Sequence, residues 1–449
     1  MKKTTLFTTL LGICGTAFAQ SQAITSWLQN TTINGSHYVS GNSTAIQDNV
    51  AVNCQAVQYS TSWVYVTTNG IPAYTTGPFL DGNPSLATDQ NAIFKFPLTP
   101  TQNTGSLTAT TGGNIGVFIN GVALFDYRDG VSWKNSTNAL AGGPLGGTGD
   151  NVWNRDAVVA ERQGFDCSKG HPAMGNYHHH QNPSAYDLDL NVLSTICNLY
   201  DADGLYAIDS TVHSPLIGYA YDGFPIYGAY GYKNADGTGG IVRIKSSFQL
   251  RNITTRTTLY TGATVTAGPD VSTIYPLGYF KEDYEFITPT ASDYLDVHNG
   301  RFCVTPEYPN GTYCYFATVD ANWNSAYPYV VGPTFYGNKV AAKVTSISES
   351  TTTYTPSAAG ISQNTLENMN IEVFPNPAND LVAIQVKGLL EENLTVTLVD
   401  MTGRTIQQKT LVAGSTILYF DTQTAYAGEY FLRINSTAGS IVKKLSIVK

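Results

Sequence analysis

Four of the seven histidines fall within ten residues, at His171, His178, His179 and His180. In an extended strand successive side chains point to opposite faces. His178 and His180 then share one face, and Tyr177 and His179 take the other. Two imidazoles two residues apart on one face form a chelate. His171, across the Pro- and Gly-containing stretch 172–175, is placed to fold back as a third ligand. Neutral imidazole suits Zn, Cu, Fe or Ni, and zinc or copper is the expected ion. His213, ahead of Ser214-Pro215, is the candidate fourth ligand. Asp222, in a glycine- and aromatic-rich loop, is the candidate orienting group or general base, although Asp222-Gly223 is also an ordinary turn signal. An open coordination position would activate water for hydrolysis, or bind oxygen if the ion is copper. The competing reading is a set of buried, hydrogen-bonded histidines that hold loops together.

The elements that must position these residues read as strands. Residues 63–68 lead to Asn69-Gly70, and 114–119 lead to Asn120-Gly121 and then 122–125, a clear hairpin signal. No amphipathic helix longer than three turns stands out. The fold class is therefore mainly β, with long loops carrying the distinctive residues. Cys303 and Cys314 flank a turn centred on Tyr308-Pro309; a hairpin centred there puts the two cysteines opposite each other, as a cross-strand disulfide. Cys167 and Cys197 bracket the His-rich segment and are the second expected pair, which leaves Cys54 over.

Both ends carry targeting features. A basic start at Lys2-Lys3, an apolar stretch and Ala17-Phe18-Ala19 before Gln20 have the order of a secretory signal peptide, expected over 1–19. An N-terminal segment (20–49) and a single β-rich domain (50–337) follow. A Ser/Thr-rich stretch, 338–368, reads as a linker. From 369 to 449 the pattern becomes short alternating strands, at 381–386, 394–399, 417–420, 430–434 and 441–448, which suits a small Ig-like β-sandwich. No run approaches 18 apolar residues, so no membrane-spanning helix is expected.

The tail resembles the type A C-terminal sorting domain of the type IX secretion system. The resemblance is carried by Phe374-Pro375-Asn376-Pro377-Ala378, Asp400-Met401-Thr402-Gly403-Arg404, 427–434 and Lys443-Lys444-Leu445-Ser446-Ile447-Val448-Lys449. It implies export through the periplasm, recognition by the type IX machinery, and a passenger that is released or held at the outer cell surface. The preceding segments resemble the YHYH-domain family, through 116–125, 165–167 with Gly170-His171-Pro172, 175–180 with Asn182-Pro183, 213–218, 222–228, 275–284 and 299–315. His179 stands where the name-giving motif has a second Tyr. That family brings a domain but no settled reaction.

Only 13% of residues are charged, with a net charge of −9 and 29 tyrosines. A nucleic-acid binder would need a basic stripe. No G-x-S-x-G elbow, H-E-x-x-H helix, Walker loop or dinucleotide glycine fingerprint occurs. Two functions stay open: a secreted metal-binding protein, catalytic or not, and a non-catalytic surface module that binds glycan or protein through exposed aromatics.

Overall fold

The computed structural model describes residues 20–81, 85–183, 194, 196, 205–206, 208–356, 370–387, 393–401, 404–436 and 439–449. The expected signal peptide, Cys197 and residues 357–368 of the expected linker lie outside the described residues. The chain divides into two compact units, Met1–Tyr354 and Thr355–Lys449. Among the described residues no helix is long and apolar enough to cross a membrane.

The first unit is organised by an eight-stranded sheet. Its strands are β1 (Asn114–Phe118), β2 (Ala123–Phe125), β3 (Gly170–Ala173), β4 (Asn176–His179), β5 (Leu216–Ala220), β6 (Pro225–Tyr227), β7 (Gly300–Cys303) and β8 (Thr312–Phe316). Their order across the sheet is β3-β4-β2-β1-β5-β6-β8-β7. The two halves of that order are the same arrangement read outward from the β1/β5 junction. β1 and β2 form a hairpin with a bulge between Asn114 and Gly116, and β5 and β6 form one with a bulge between Leu216 and Gly218. β4 runs parallel to β2, with His179 beside Leu124, and β8 runs parallel to β6, with Tyr315 beside Ile226. At the junction Val117 pairs with Tyr219. The flanking bonds are reciprocal, Ile119 N to Ile217 O and Tyr221 N to Ile115 O. The sheet is thus two copies of a double-hairpin unit, related by a pseudo-two-fold axis through the Val117/Tyr219 pair. The matching sequences are Ile115-Gly116 through Asn120-Gly121 and Ile217-Gly218 through Asp222-Gly223.

Each copy anchors its second hairpin with an aspartate, buried at Asp166 and half-buried at Asp296. Asp166 accepts from the backbone of Ser168 and Gly170 and from the Tyr177 hydroxyl. Asp296 accepts from the backbone of His298 and Gly300 and from the Tyr313 hydroxyl. Such donors are what make a buried carboxylate tolerable. The same copies settle the cysteine hairpin. Cys303 pairs with Thr312 and Cys314 with Arg301, two residues away from the expected register, because the turn is centred on Glu307 and Tyr308. Cys303 and Cys314 lie diagonally on one face as buried, unbridged thiols, not as the expected disulfide.

A five-stranded sheet covers one face. Its order is Ala342–Val344, Ala92–Pro97, Trp63–Thr68, Cys54–Tyr59 and Thr352–Tyr354. Val57, Val64, Val66, Phe94 and Phe96 share one core with Val117, Phe118, Leu124, Ile217 and Tyr219. The central strands of the large sheet are buried on both faces and read as near-continuous apolar runs rather than alternating ones. Two expectations change here. Part of the expected linker is edge strands of this sheet, paired to Ala92–Pro97 and Cys54–Tyr59, so the compact unit runs to Tyr354. The N-terminal segment belongs to the same unit, because Trp27 is buried 5.5 Å from Phe96 and 5.4 Å from Tyr219. Cys54 is also buried, its thiol donating to the Ile119 carbonyl at 3.5 Å.

The second unit has a three-stranded sheet of Asn370–Phe374, Leu381–Lys387 and Ile417–Asp421, and a four-stranded sheet ordered Thr405–Leu411, Leu394–Asp400, Gly428–Ser436, Gly439–Ile447. Inward residues from both, among them Val382, Ile384, Val396, Leu398, Phe420, Leu432 and Leu445, form its core. The expected strands are all present, and Asn370–Phe374 and Thr405–Leu411 are added.

The β1/β5 junction has a sharp test. A Cβ on Gly218 would stand 2.7 Å from the Val117 carbonyl oxygen, whereas one on Gly105 meets only the Asn103 side chain at 3.5 Å. Gly218→Ala should lower unfolding stability by about 1–3 kcal/mol, the usual cost of overpacking, and Gly105→Ala should leave it nearly unchanged. Chemical denaturation of the two variants checks this, and equal stabilities would contradict the close approach.

Candidate metal centre

The register of β3 on β4 sets His171 directly opposite His178, so both project to the same face. Met174 and Gly175 join the strands with φ of 49° and 84°, the left-handed pair that a two-residue I′ turn requires. A turn that short holds the register. His180 lies one residue past β4, and alternation returns it to the His178 face. The three Nε2 atoms converge. His178 and His180 stand 3.1 Å apart and His171 and His180 3.4 Å apart, and all three lie within 4.8 Å of one another. Around a tetrahedral ion with bonds of about 2.0–2.1 Å, neighbouring ligand nitrogens are separated by about 3.3 Å. The arrangement fits that geometry.

The far ring nitrogens set the tautomers. His178 Nδ1 donates to the Asn176 carbonyl at 2.9 Å, and His180 Nδ1 donates to the Asp126 carbonyl at 2.6 Å. Each bond places the proton on Nδ1 and leaves the Nε2 lone pair facing its neighbours. Phe125 stacks on His178 at 3.9 Å, and Phe165 meets His171 edge-on at 4.9 Å, which fixes both rings. All three histidines are buried. Burial, reinforced by the neighbouring His180, pulls His171 down to about 4, and burial holds His178 well below the ordinary imidazole range. Both are neutral near pH 7, the form that coordinates.

Sequence reasoning missed one member of the cluster. Glu161 Oε2 lies 3.3 Å from His171 Nε2 and 3.4 Å from His180 Nε2. Burial alone would lower His180 and raise Glu161, but their mutual contact outweighs it and holds His180 up and Glu161 down. Glu161 ends the short helix Ala157–Ala160, whose N-terminus is capped by Asp156 accepting from Val158 N. Asp156 also accepts from the Tyr329 hydroxyl at 2.7 Å. Nothing in the local sequence around Glu161 marks it; only this helix brings it to the histidines.

The structure does not bring His213 or Asp222 to the cluster. His213 packs on Tyr227, Tyr232 and Phe316. Tyr227 and Phe316 occupy in the second copy the places of Phe125 and His180 in the first, so His213 sits at the mirror position of the histidine cluster. There Arg301, Cys314 and Phe316 replace His171, His178 and His180. Asp222 is fully buried, accepting from the Tyr315 hydroxyl at 2.6 Å and from Gly337 N at 2.8 Å. It is a turn staple in the second copy rather than a base at the cluster. Cys167 is buried, and its expected partner Cys197 lies outside the described residues.

The YHYH protein family matches residues 93–328, more than half of the chain. The chain belongs to the YHYH family. The match begins in the five-stranded sheet and takes in the whole eight-stranded sheet of this YHYH domain. A secretion system C-terminal sorting domain matches residues 372–448, so the second unit is a type IX sorting domain and the YHYH passenger is exported to the cell surface or released. No curated protein matches the chain. Among solved structures, a DUF3244 family protein from Bacteroides vulgatus with an immunoglobulin-like β-sandwich fold is 19% identical over 18% of this chain and 86% of its own, with a TM-score of 0.16. Dimeric latent PorU from Porphyromonas gingivalis is 22% identical over 17% of this chain and 9% of its own, with a TM-score of 0.15.

His179 is where this YHYH domain departs from the name-giving motif, and it faces away from the cluster. Its Nε2 meets the Tyr74 hydroxyl at 2.9 Å, and its ring lies edge-on to Phe118 and Tyr177. Burial pulls it down to about 3. A folded value below the unfolded one means that the unfolded chain takes up the proton first. The contribution of His179 is therefore complete above about pH 6.5 and is lost as pH falls toward about 3. In the presence of chelator, His179→Gln should flatten the fall in stability between pH 6.5 and 5 by about 1–2 kcal/mol, read by denaturation at the two pH values. An unchanged slope would show that His179 is not held neutral. For export, deleting residues 370–449 should strand the passenger in the periplasm; fractionation that finds it outside the cell at normal levels would contradict the sorting role.

Proposed function

We propose that this YHYH protein is an exported metal-binding protein that holds one transition-metal ion, zinc or copper, at His171, His178 and His180. The observation that carries the proposal is the convergence of the His171 and His178 Nε2 atoms on that of His180, at 3.4 and 3.1 Å. Imidazoles recruited only to hold loops would turn both nitrogens to protein donors and acceptors. Here the Nδ1 atoms of His178 and His180 do so, while the three Nε2 atoms converge, with Glu161 Oε2 beside two of them. Three like-polarity ring nitrogens crowd together in a buried site, two of them on imidazoles that burial holds neutral, and a shared cation would satisfy them. When bound, such an ion would act as a Lewis acid toward any group that reaches it; the Asn176 and Asp126 carbonyls orient the imidazoles that would hold it. The alternative, a glycan- or protein-binding module built on exposed tyrosines, has less support. Tyr65, Tyr74, Tyr127, Tyr177, Tyr219, Tyr227, Tyr313, Tyr315 and Tyr329 are all buried.

Elemental analysis of the exported passenger should find a single zinc or copper ion per chain, as purified or after refolding with the metal. His178→Ala and His180→Ala should each weaken binding more than tenfold, whereas His179→Gln should keep it. Occupancy should fall as pH drops through the imidazole range near ~6.5, because protons compete for the same lone pairs. Metal-free wild-type protein after refolding with both ions would end the proposal, as would equal loss from all three variants.

A further inference from the structure

We propose that Glu161 is the fourth ligand of the ion and closes its coordination shell to water; the inference rests on the three-histidine reading above. Glu161 Oε2 is 3.3 Å from His171 Nε2 and 3.4 Å from His180 Nε2, while His180 Nε2 is 3.4 Å and 3.1 Å from those of His171 and His178. Four of the six edges of the donor set thus match the roughly 3.3 Å edge of a tetrahedron with bonds of about 2.0–2.2 Å to nitrogen and carboxylate oxygen. Glu161 stands outside the set whose ligand atoms all lie within 4.8 Å of one another, so its carboxylate turns toward His178 as the ion binds. The carboxylate is the member nearest solvent, with 22% of its side chain exposed against 8% for His171 and 3% for His180. It therefore occupies the side from which water would otherwise reach the ion. Its charge also reduces that of a divalent ion in a buried site.

The position of Glu161 is built rather than incidental. It ends a helix whose first turn is pinned by Asp156, itself buried and held by Tyr329. Zinc sites that hydrolyse keep three protein ligands and an open fourth position, whereas closed sites use four. A Glu161 ligand places this centre among the closed ones, suited to holding an ion in place rather than to activating water.

The test uses the full passenger loaded with cobalt(II), whose visible absorption reports coordination number and exogenous ligands. The wild-type spectrum should have the strong bands of a four-coordinate ion and stay unchanged on adding azide. Glu161→Ala should still bind cobalt, at least tenfold more weakly, the lower end of the 10–100-fold that loss of an outer partner alone costs. It should also acquire a spectrum that azide shifts. Glu161→Gln, nearly the same size, serves if the alanine variant folds poorly. A wild-type spectrum that azide shifts would overturn the Glu161 ligand and make its contact an ion pair only, while the three-histidine site stands. Cobalt uptake that His178→Ala leaves untouched would remove the three-histidine site, and this inference with it.

Discussion

The antiparallel pairing of β1 with β5 about Val117 and Tyr219 is the constraint on which the passenger depends. Both strands are buried on both faces, so every backbone group there must be satisfied by a neighbouring strand. The reciprocal bonds between residues 119 and 217 and between 221 and 115 do this. Close approach is possible because Gly116 and Gly218 present no Cβ to the opposing carbonyls, which stand within 2.8 Å of where one would be. From that seam each double hairpin extends outward, and each returns a parallel strand to its own first hairpin.

Position within a copy then depends on buried charge held by local donors. Asp166 receives bonds from Gly77 N as well as from Ser168, Gly170 and Tyr177. Burial nevertheless raises it to about 6, a measure of how strongly the interior resists the charge. The network fixes where β3 begins, and the I′ turn fixes where β4 begins. Between them they determine that His171 faces His178. Asp296 does the same for β7 and β8 with a longer turn.

The two copies diverge at the three positions where chemistry is concentrated. The first buries imidazoles, which need a cation or a proton to relieve their clustered lone pairs. The second has a half-buried Arg301 with buried Cys314 and Phe316, and the ring of His213 packs there against Tyr227 and Phe316. Among the described residues only the first copy groups three ligands. Sheet architecture and ligand set are therefore separable in this fold: the same hydrogen bonds carry either set of side chains.

Alternation along one strand was enough to separate His178 and His180 from His179, because the two-residue period is a property of extended backbone and needs no partner. The I′ turn at Met174-Gly175 and the seam glycines are less legible; they matter only through the strands they bring together. Asn120-Gly121 marked its hairpin because Gly121 takes a positive φ of 79° that favours glycine, and the tail marked its sandwich by the two-residue alternation of its strands. Local rules failed where position depends on contacts distant in sequence. The Cys303/Cys314 register follows the β8–β6 pairing and the Asp296 anchor, not the apparent centre of the turn. Residues 342–344 and 352–354, polar enough to read as linker, are edge strands because a partner sheet supplies their hydrogen bonds. Glu161 reaches the histidines through a helix pinned by Asp156, and His213, just ahead of Leu216–Ala220, packs on Tyr227 and Phe316 of the other copy. The sequence by itself determined which side chains share a strand face; the tertiary structure decided which faces meet, because that depends on strand pairing across more than 100 residues of chain.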